Sequence, residues 1–297
     1  MTADHGRALE ACERDLRRLN RSPATITSVL VAARSFLAGV GRRPVDRLQL
    51  DDVRTFLALQ DVRPSTVATL VSRLRCFFQA LLRLGLVKLD PTARLPLDRP
   101  PPRAPLLLTV EQVADLLAAA WPRVTSNRLV RARALRDRLV IELLYCGLRS
   151  SEVRLAQVGD LDPRQGELLV RRAKGGRPDL LPLPRPTLVL LQHYLAAERT
   201  RLARGRDQGR LVVGDDGAPL RRATNIIAIV NRVARRAGVR CHPHALRRAV
   251  ASHLAEAGVP MPLVQRHLGH ARIGTTQVYV EVERAALHRA VKVLDLS

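Results

Sequence analysis

The sequence predicts a mainly α protein of two domains, the second holding one small antiparallel β-sheet. Three observations carry this. Apolar residues recur at helical spacing between recognisable caps along most of the chain. One stretch alone, near residues 167–183, shows a strand signal instead. Five prolines crowd residues 96–105, where neither a helix nor a central strand can continue. The chain therefore reads as a helical domain over 1–95, a semi-rigid linker over 96–108 and a second domain over 109–297.

In the first domain a helix is expected near 5–20. A second opens at Ser22-Pro23, an N-cap followed by proline at the first helical position, and runs to Gly39. A third starts at Asp51-Asp52. A fourth follows Pro64-Ser65 and carries Val67, Leu70, Val71, Leu74, Phe77, Phe78, Leu81 and Leu82 on one side, ending at Gly85. The second domain opens with Thr109-Val-Glu-Gln112, a capping-box pattern before Val113, Leu116 and Leu117. Helices are expected near 131–146 and 151–157. Strands at 167–170 and 180–183 flank a loop from Arg171 to Asp179. Helices return near 186–203, 222–237, 243–257, 260–268, 272–280 and 284–294.

Composition narrows the function. Of 297 residues, 50 are Lys or Arg and 27 Asp or Glu, a formal net charge of +23. Such an excess points to a polyanion, most simply nucleic acid. Both parts share it, with net +7 over 1–100 and +16 over 101–297. Aromatics are scarce, and Phe36, Phe56, Phe77 and Phe78 sit in apolar runs, so stacking on single strands is disfavoured against double-stranded DNA gripped by its phosphates. A 46% hydrophobic content excludes a disordered tail protein. No stretch reaches the ~18 uninterrupted apolar residues of a membrane span, and the N-terminus has no apolar signal segment, so a cytoplasmic protein without a membrane partner is expected. Cysteines 12, 76, 146 and 241 form no paired motif, which indicates neither a disulfide framework nor a zinc ribbon.

Several polar positions interrupt or border apolar segments. Arg149 lies between a helix ended by Gly147 and one capped at Ser150, where an anion is welcome. Lys174, one of three lysines, occupies the tip of the hairpin beside Gly175 and Gly176. Pro243 suits the first position of a helix that sets His244 and Arg247 three apart on one face. His267 and His270 follow in Arg-His-Leu-Gly-His. A metal site drawn from Cys241, His242, His244, His267 and His270 is disfavoured, because the ligand spacing is irregular and no carboxylate joins the cluster. Tyr145 and Tyr194 lie on apolar helices and read as structural, whereas Tyr279 lies in a more polar stretch.

Together these residues resemble the tyrosine recombinase or phage integrase family, in size its Xer-like members. The resemblance rests on Cys-Gly-Leu-Arg-Ser-Ser-Glu (146–152), His-Ala-Leu-Arg-Arg (244–248), Leu-Gly-His (268–270) and Thr-Thr-Gln-Val-Tyr (275–279). It implies a four-helix SAM-like core-binding domain followed by a catalytic domain of the DNA breaking-rejoining fold. It also implies a homo-tetramer on two DNA sites, or an assembly with a related recombinase. Tyr279 resembles the nucleophile, Arg149 and Arg247 the pair that clamps the phosphate, and Lys174 the donor to the leaving 5′-oxygen. His244 resembles the general acid/base, His270 a further donor to the phosphate, and Glu152 the acidic support of Arg149 or His244. A phenol with pKa about 10 is only ~0.1% ionised at pH 7, so such a nucleophile needs a base and a positive field. The donors implied surround the phosphate without a metal, and religation retains the bond energy without ATP; no cofactor is expected. Glu281 departs from the pattern, since many relatives carry histidine there. A DNA-binding integrase derivative and a type IB-like topoisomerase are the alternatives.

Overall fold

The structure, a computed structural model, describes residues 2–95, 106–121, 125–171, 178–269 and 291. The chain divides into two compact units, Met1–Ala104 and Pro105–Ser297.

Among its described residues the first unit holds four helices, α1 (Ala3–Arg18), α2 (Pro23–Gly39), α3 (Leu50–Ala58) and α4 (Pro64–Arg83), with a 3₁₀ turn at Val45–Arg47. Their starts follow from local chemistry. The Thr2 hydroxyl accepts from the His5 amide (3.3 Å) and Ser22 from Thr25 (3.2 Å), while the Asp52 carboxylate takes the Gln49 amide (2.8 Å). The four phenylalanines meet in the core, as their apolar contexts predicted. Phe36 packs edge-on to Phe56 (5.3 Å) and Phe78 (5.8 Å), and Phe77 to Phe78 (5.2 Å). The buried carboxylate of Asp15 takes the Arg83 guanidinium at 2.6 Å, tying α1 to α4.

The second unit begins with α5 (Val110–Ala120), whose Thr109 and Gln112 form the expected capping box. Then come α6 (Arg128–Tyr145) and α7 (Ser150–Leu155). The three-stranded antiparallel sheet is β1 (Leu161–Asp162), β2 (Glu167–Val170) and β3 (Asp179–Pro182), in that order. The register sets Leu161 opposite Leu168 and Leu168 opposite Leu181. Helices α8 (Arg185–His193), α9 (Arg199–Ala203), α10 (Ala223–Ala237), α11 (Pro243–Glu256) and α12 (Met261–His267) follow. Helix α6 is the spine of this core: its residues Leu139–Tyr145 are all buried. Val291, beyond α12, is buried in the same core. No helix among the described residues is long and apolar enough to cross a membrane.

Three local expectations need correction. Helix α6 starts three residues early, because the Asn127 side chain accepts from the Leu129 (3.0 Å) and Val130 (3.1 Å) amides and caps it there. The sheet gains β1, too short for a periodic signal. The helix expected over 186–203 is split by a π turn at Tyr194–Glu198. The wider turn buries both Tyr194 and Glu198, and Glu198 meets Arg131 (3.5 Å) and Arg201 (3.0 Å). The hairpin tip with Lys174, the helix expected over 272–280 and, apart from Val291, the helix expected over 284–294 lie outside the described residues.

Candidate active site

The site is built where α6 ends. Gly147 takes φ +99°, a region that L side chains rarely adopt, and turns the chain sharply into α7. A Cβ there would lie 3.2 Å from Leu268 Cδ2 and 3.4 Å from His267 Nε2. The close approach of α12 thus excludes a side chain independently of φ.

Two residues on, Arg149 caps α7. The Glu152 carboxylate reaches back to it twice, accepting from its amide (2.8 Å) and from Nη1 of its guanidinium (2.8 Å). Glu152 is buried, whereas the Arg149 side chain is 43% exposed and open to a ligand. The second oxygen of Glu152 lies 3.9 Å from Arg247 Nη1. One buried carboxylate therefore serves two guanidinium groups, which supports the expected link to Arg149. It holds two like charges in one place, an arrangement suited to a doubly contacted anion.

Arg247 comes from the first turns of α11. Its Nη1 donates to the Gly147 carbonyl and its Nη2 to the Leu268 carbonyl, so the guanidinium links the α6–α7 turn to the end of α12. His244 shares that turn of α11, as the spacing of three implied, but its side chain is exposed while Arg247 is buried. Partial loss of solvation first, then the charges of Arg248, Arg247, His242 and Arg149, hold the pKa of His244 below its ordinary value. The same field from Arg149 and Arg247 therefore reaches this imidazole, which favours its neutral, proton-accepting form.

The structure thus brings Arg149, Glu152, His244 and Arg247 together. Lys174, His270 and Tyr279 lie outside the described residues, as does Glu281. His242 spends Nδ1 accepting the Ala245 amide (3.1 Å) as the cap of α11, and burial pushes the Cys241 thiol up to about 12. Among the described residues no cluster of His, Cys, Asp or Glu could hold a metal ion.

Two features escaped the sequence reading. His253 on α11 bridges Tyr145 and the Leu108 carbonyl. Arg136 and Asp137, inside the charged run of α6, are both buried and paired, and Asp137 also takes Arg232 of α10 at 2.7 Å. Position in the run was the available signal: Arg136 lies beside Leu135 and three positions before Leu139, where the apolar stretch resumes, and its side chain is buried. Beside this pair lies a cleft of ≈ 420 Å³ that Arg221 and Asn225 also line.

Residues 107–285 match the Phage integrase family. The chain belongs to that family. It is a Xer-like tyrosine recombinase, a DNA recombinase enzyme. It is 34% identical to the tyrosine recombinase XerC of Alcanivorax borkumensis, over 90% of this chain and 85% of that protein. It is 35% identical to XerD of Ralstonia nicotianae, over 85% and 80%. Its fold is similar to that of a lambda integrase (75–356) dimer bound to a COC' core site, with a TM-score of 0.66, 16% identity, and coverage of 94% of this chain and 100% of that one. It is also similar to XerH site-specific recombinase bound to palindromic difH substrate in a post-cleavage complex, with a TM-score of 0.63, 20% identity and coverage of 93% and 81%. The mainly α fold with its small antiparallel sheet is thereby the integrase fold that the resemblance implied.

Proposed function

We propose that this recombinase cuts and rejoins duplex DNA at specific sites through a 3′-phosphotyrosyl intermediate at Tyr279. The observation that carries the reading is the convergence of Arg149 and Arg247 on one buried carboxylate, Glu152, with a neutral His244 in their field. In the first step the Tyr279 hydroxyl oxygen attacks phosphorus, the P–O5′ bond breaks, and Lys174 protonates the departing 5′-oxygen. His244 accepts the phenolic proton. Arg149 and Arg247, with His270, bind the non-bridging oxygens. Because the five-coordinate state carries more negative charge than the diester, two fixed cations stabilise it preferentially. Loss of one such donor costs about 3 kcal/mol, or ~100-fold in rate. A new 5′-hydroxyl then attacks the phosphotyrosine and releases Tyr279, so the number of phosphodiester bonds is conserved and no ATP is consumed.

The N-terminal helical unit (1–95) acts as the core-binding domain and 109–297 as the catalytic domain, joined by the 96–108 linker. Four protomers hold two duplexes. Support comes from the basic charge of both parts and from the similar folds of a lambda integrase dimer bound to a core site and a lambda integrase tetramer bound to a Holliday junction.

The test is covalent capture. The full chain is incubated in EDTA with sheared DNA of its own genome, quenched with SDS, and its adducts are sequenced beside Tyr279→Phe. Adducts at a few sites that vanish in the variant support the reading. Binding without any adduct, on intact DNA and on a nicked suicide duplex of the footprinted site alike, overturns it in favour of a DNA-binding derivative. Relaxation of one supercoiled duplex without strand exchange points instead to a topoisomerase.

A further inference from the structure

Helix α11 carries His244 and Arg247, and it is fastened to the end of α6 at two points. The first is Arg247 on the Gly147 carbonyl. The second is His253, six residues later and ~9 Å further along the helix axis. Its Nδ1 lies 2.8 Å from the Tyr145 hydroxyl and its Nε2 lies 3.0 Å from the Leu108 carbonyl. A carbonyl only accepts, so Nε2 bears the proton and Nδ1 accepts from Tyr145. Burial, and then the neighbouring Cys146, raise the pKa of Tyr145, which keeps the phenol protonated for this role. Both side chains are buried, and their rings meet edge-on at 5.9 Å.

The two attachments differ in what the reaction asks of them. Arg247 has further N–H donors to offer a phosphate, and sharing the guanidinium with that anion weakens its hold on the Gly147 carbonyl. The His253 attachment uses no group that meets DNA, so it persists through the cycle. A helix held at one point pivots, whereas a helix held at two keeps both its rotation and its slide. On the α6 side the two anchors are Tyr145 and Gly147, and Arg149 follows directly. We propose that His253, together with Tyr145, is a positioning residue of the recombinase active site. The pair keeps α11 in register with the turn at Gly147, so that Arg247 and His244 meet the same phosphate as Arg149. The leucine carbonyl adds a third tie, to the segment that enters α5. The inference deepens the proposed reaction and rests on it.

The test uses the full chain and a nicked suicide duplex carrying the site recovered from covalent capture. Single-turnover adduct formation and duplex affinity are measured in parallel. Tyr145→Phe removes one hydroxyl and keeps the ring, and is expected to slow adduct formation about fivefold to tenfold, the equivalent of one hydrogen bond. Its duplex Kd is expected to stay within about twofold of wild type, because the change lies in a step after binding. His253→Leu loses both bonds and is expected to slow the step about 100-fold, whereas His253→Gln restores a donor where Nε2 sits and recovers much of that loss. Adding Tyr145→Phe to His253→Leu produces no further loss, since the two act as one unit. If wild type forms adducts and Tyr145→Phe matches it, or if rate and affinity fall together in every variant, the positioning role is overturned. If wild type itself forms none, the proposed reaction fails, and this inference fails with it.

Discussion

Replacing Gly147 by alanine separates two costs that the structure assigns to one residue. The first is backbone: φ +99° disfavours any L side chain, at about 1–2 kcal/mol. The second is packing: the new Cβ would meet Leu268 Cδ2 at 3.2 Å and the His267 ring at 3.4 Å. Overfilling a packed core in this way adds about 1–3 kcal/mol. Gly238, which ends α10 in the same unit, is the matched control. Its φ is +67° and no atom lies within 4 Å of its would-be Cβ, so Gly238→Ala bears the backbone cost alone. In a unit of this size each kcal/mol moves Tm by about 2–4 °C. Gly147→Ala is therefore expected to melt about 6–15 °C below wild type, and Gly238→Ala only about 3–6 °C below. Thermal unfolding by circular dichroism reads both. Adduct formation should fall with Gly147→Ala beyond its stability loss, because the displaced Gly147 carbonyl is an anchor of Arg247. Equal melting shifts for the two variants, with unchanged cleavage by Gly147→Ala, would refute the argument that α12 packs against this turn.

Other outcomes follow from the same geometry. Glu152→Gln keeps the shape but removes the charge shared by Arg149 and Arg247. Discounted for the exposure of Arg149, it costs about 1–2 kcal/mol and slows adduct formation, and an unaltered melt together with an unaltered rate would count against the shared carboxylate. Asp137→Asn leaves the buried Arg136 without its buried charge partner and loosens Arg232. A loss of about 3 kcal/mol is expected in denaturant unfolding, and a change below about 1 kcal/mol would show that Asp215 suffices. His244, with its pKa depressed in the folded DNA-free chain, should titrate below the ordinary ~6.5 by proton NMR. As pH falls through ~6.5 the unfolded chain takes up that proton first, so this group's contribution to stability declines until the folded pKa is passed. Arg248→Ala removes the largest of the charges acting on it and should raise the midpoint. A midpoint above the ordinary value would show that the positive field does not reach it.

Much of the fold was legible because its signals are local. Ser22-Pro23, Thr109 with Gln112, and Pro243 mark helix starts within one turn, and the structure begins helices at each. The strand pair around residues 167–182 differs from expectation by a single residue. What misled was also local in cause. Asn127 moves a helix start through two side-chain hydrogen bonds, and a π turn at Tyr194 adds a residue that a periodicity of 3.6 does not register. At the site, the spacing of His244 and Arg247 was readable as one helical face. That one is exposed and the other buried was not, because exposure depends on what packs against the face.

By itself the sequence determined the mainly helical architecture, the strong positive charge and the motif positions that mark the family. Each is a property of neighbouring residues or of composition. Only the tertiary structure decided which polar groups share a partner. Glu152 joins Arg149, three residues away, to Arg247, ninety-five away. The Arg247 guanidinium finds the carbonyl of Gly147, and the His253 imidazole finds Tyr145 and Leu108. Such pairs form because packing α11 against α6, and the end of α12 against the turn at Gly147, removes water from both partners, and a buried donor without an acceptor would be costly. The requirement belongs to the packed core, and no spacing along the chain encodes it.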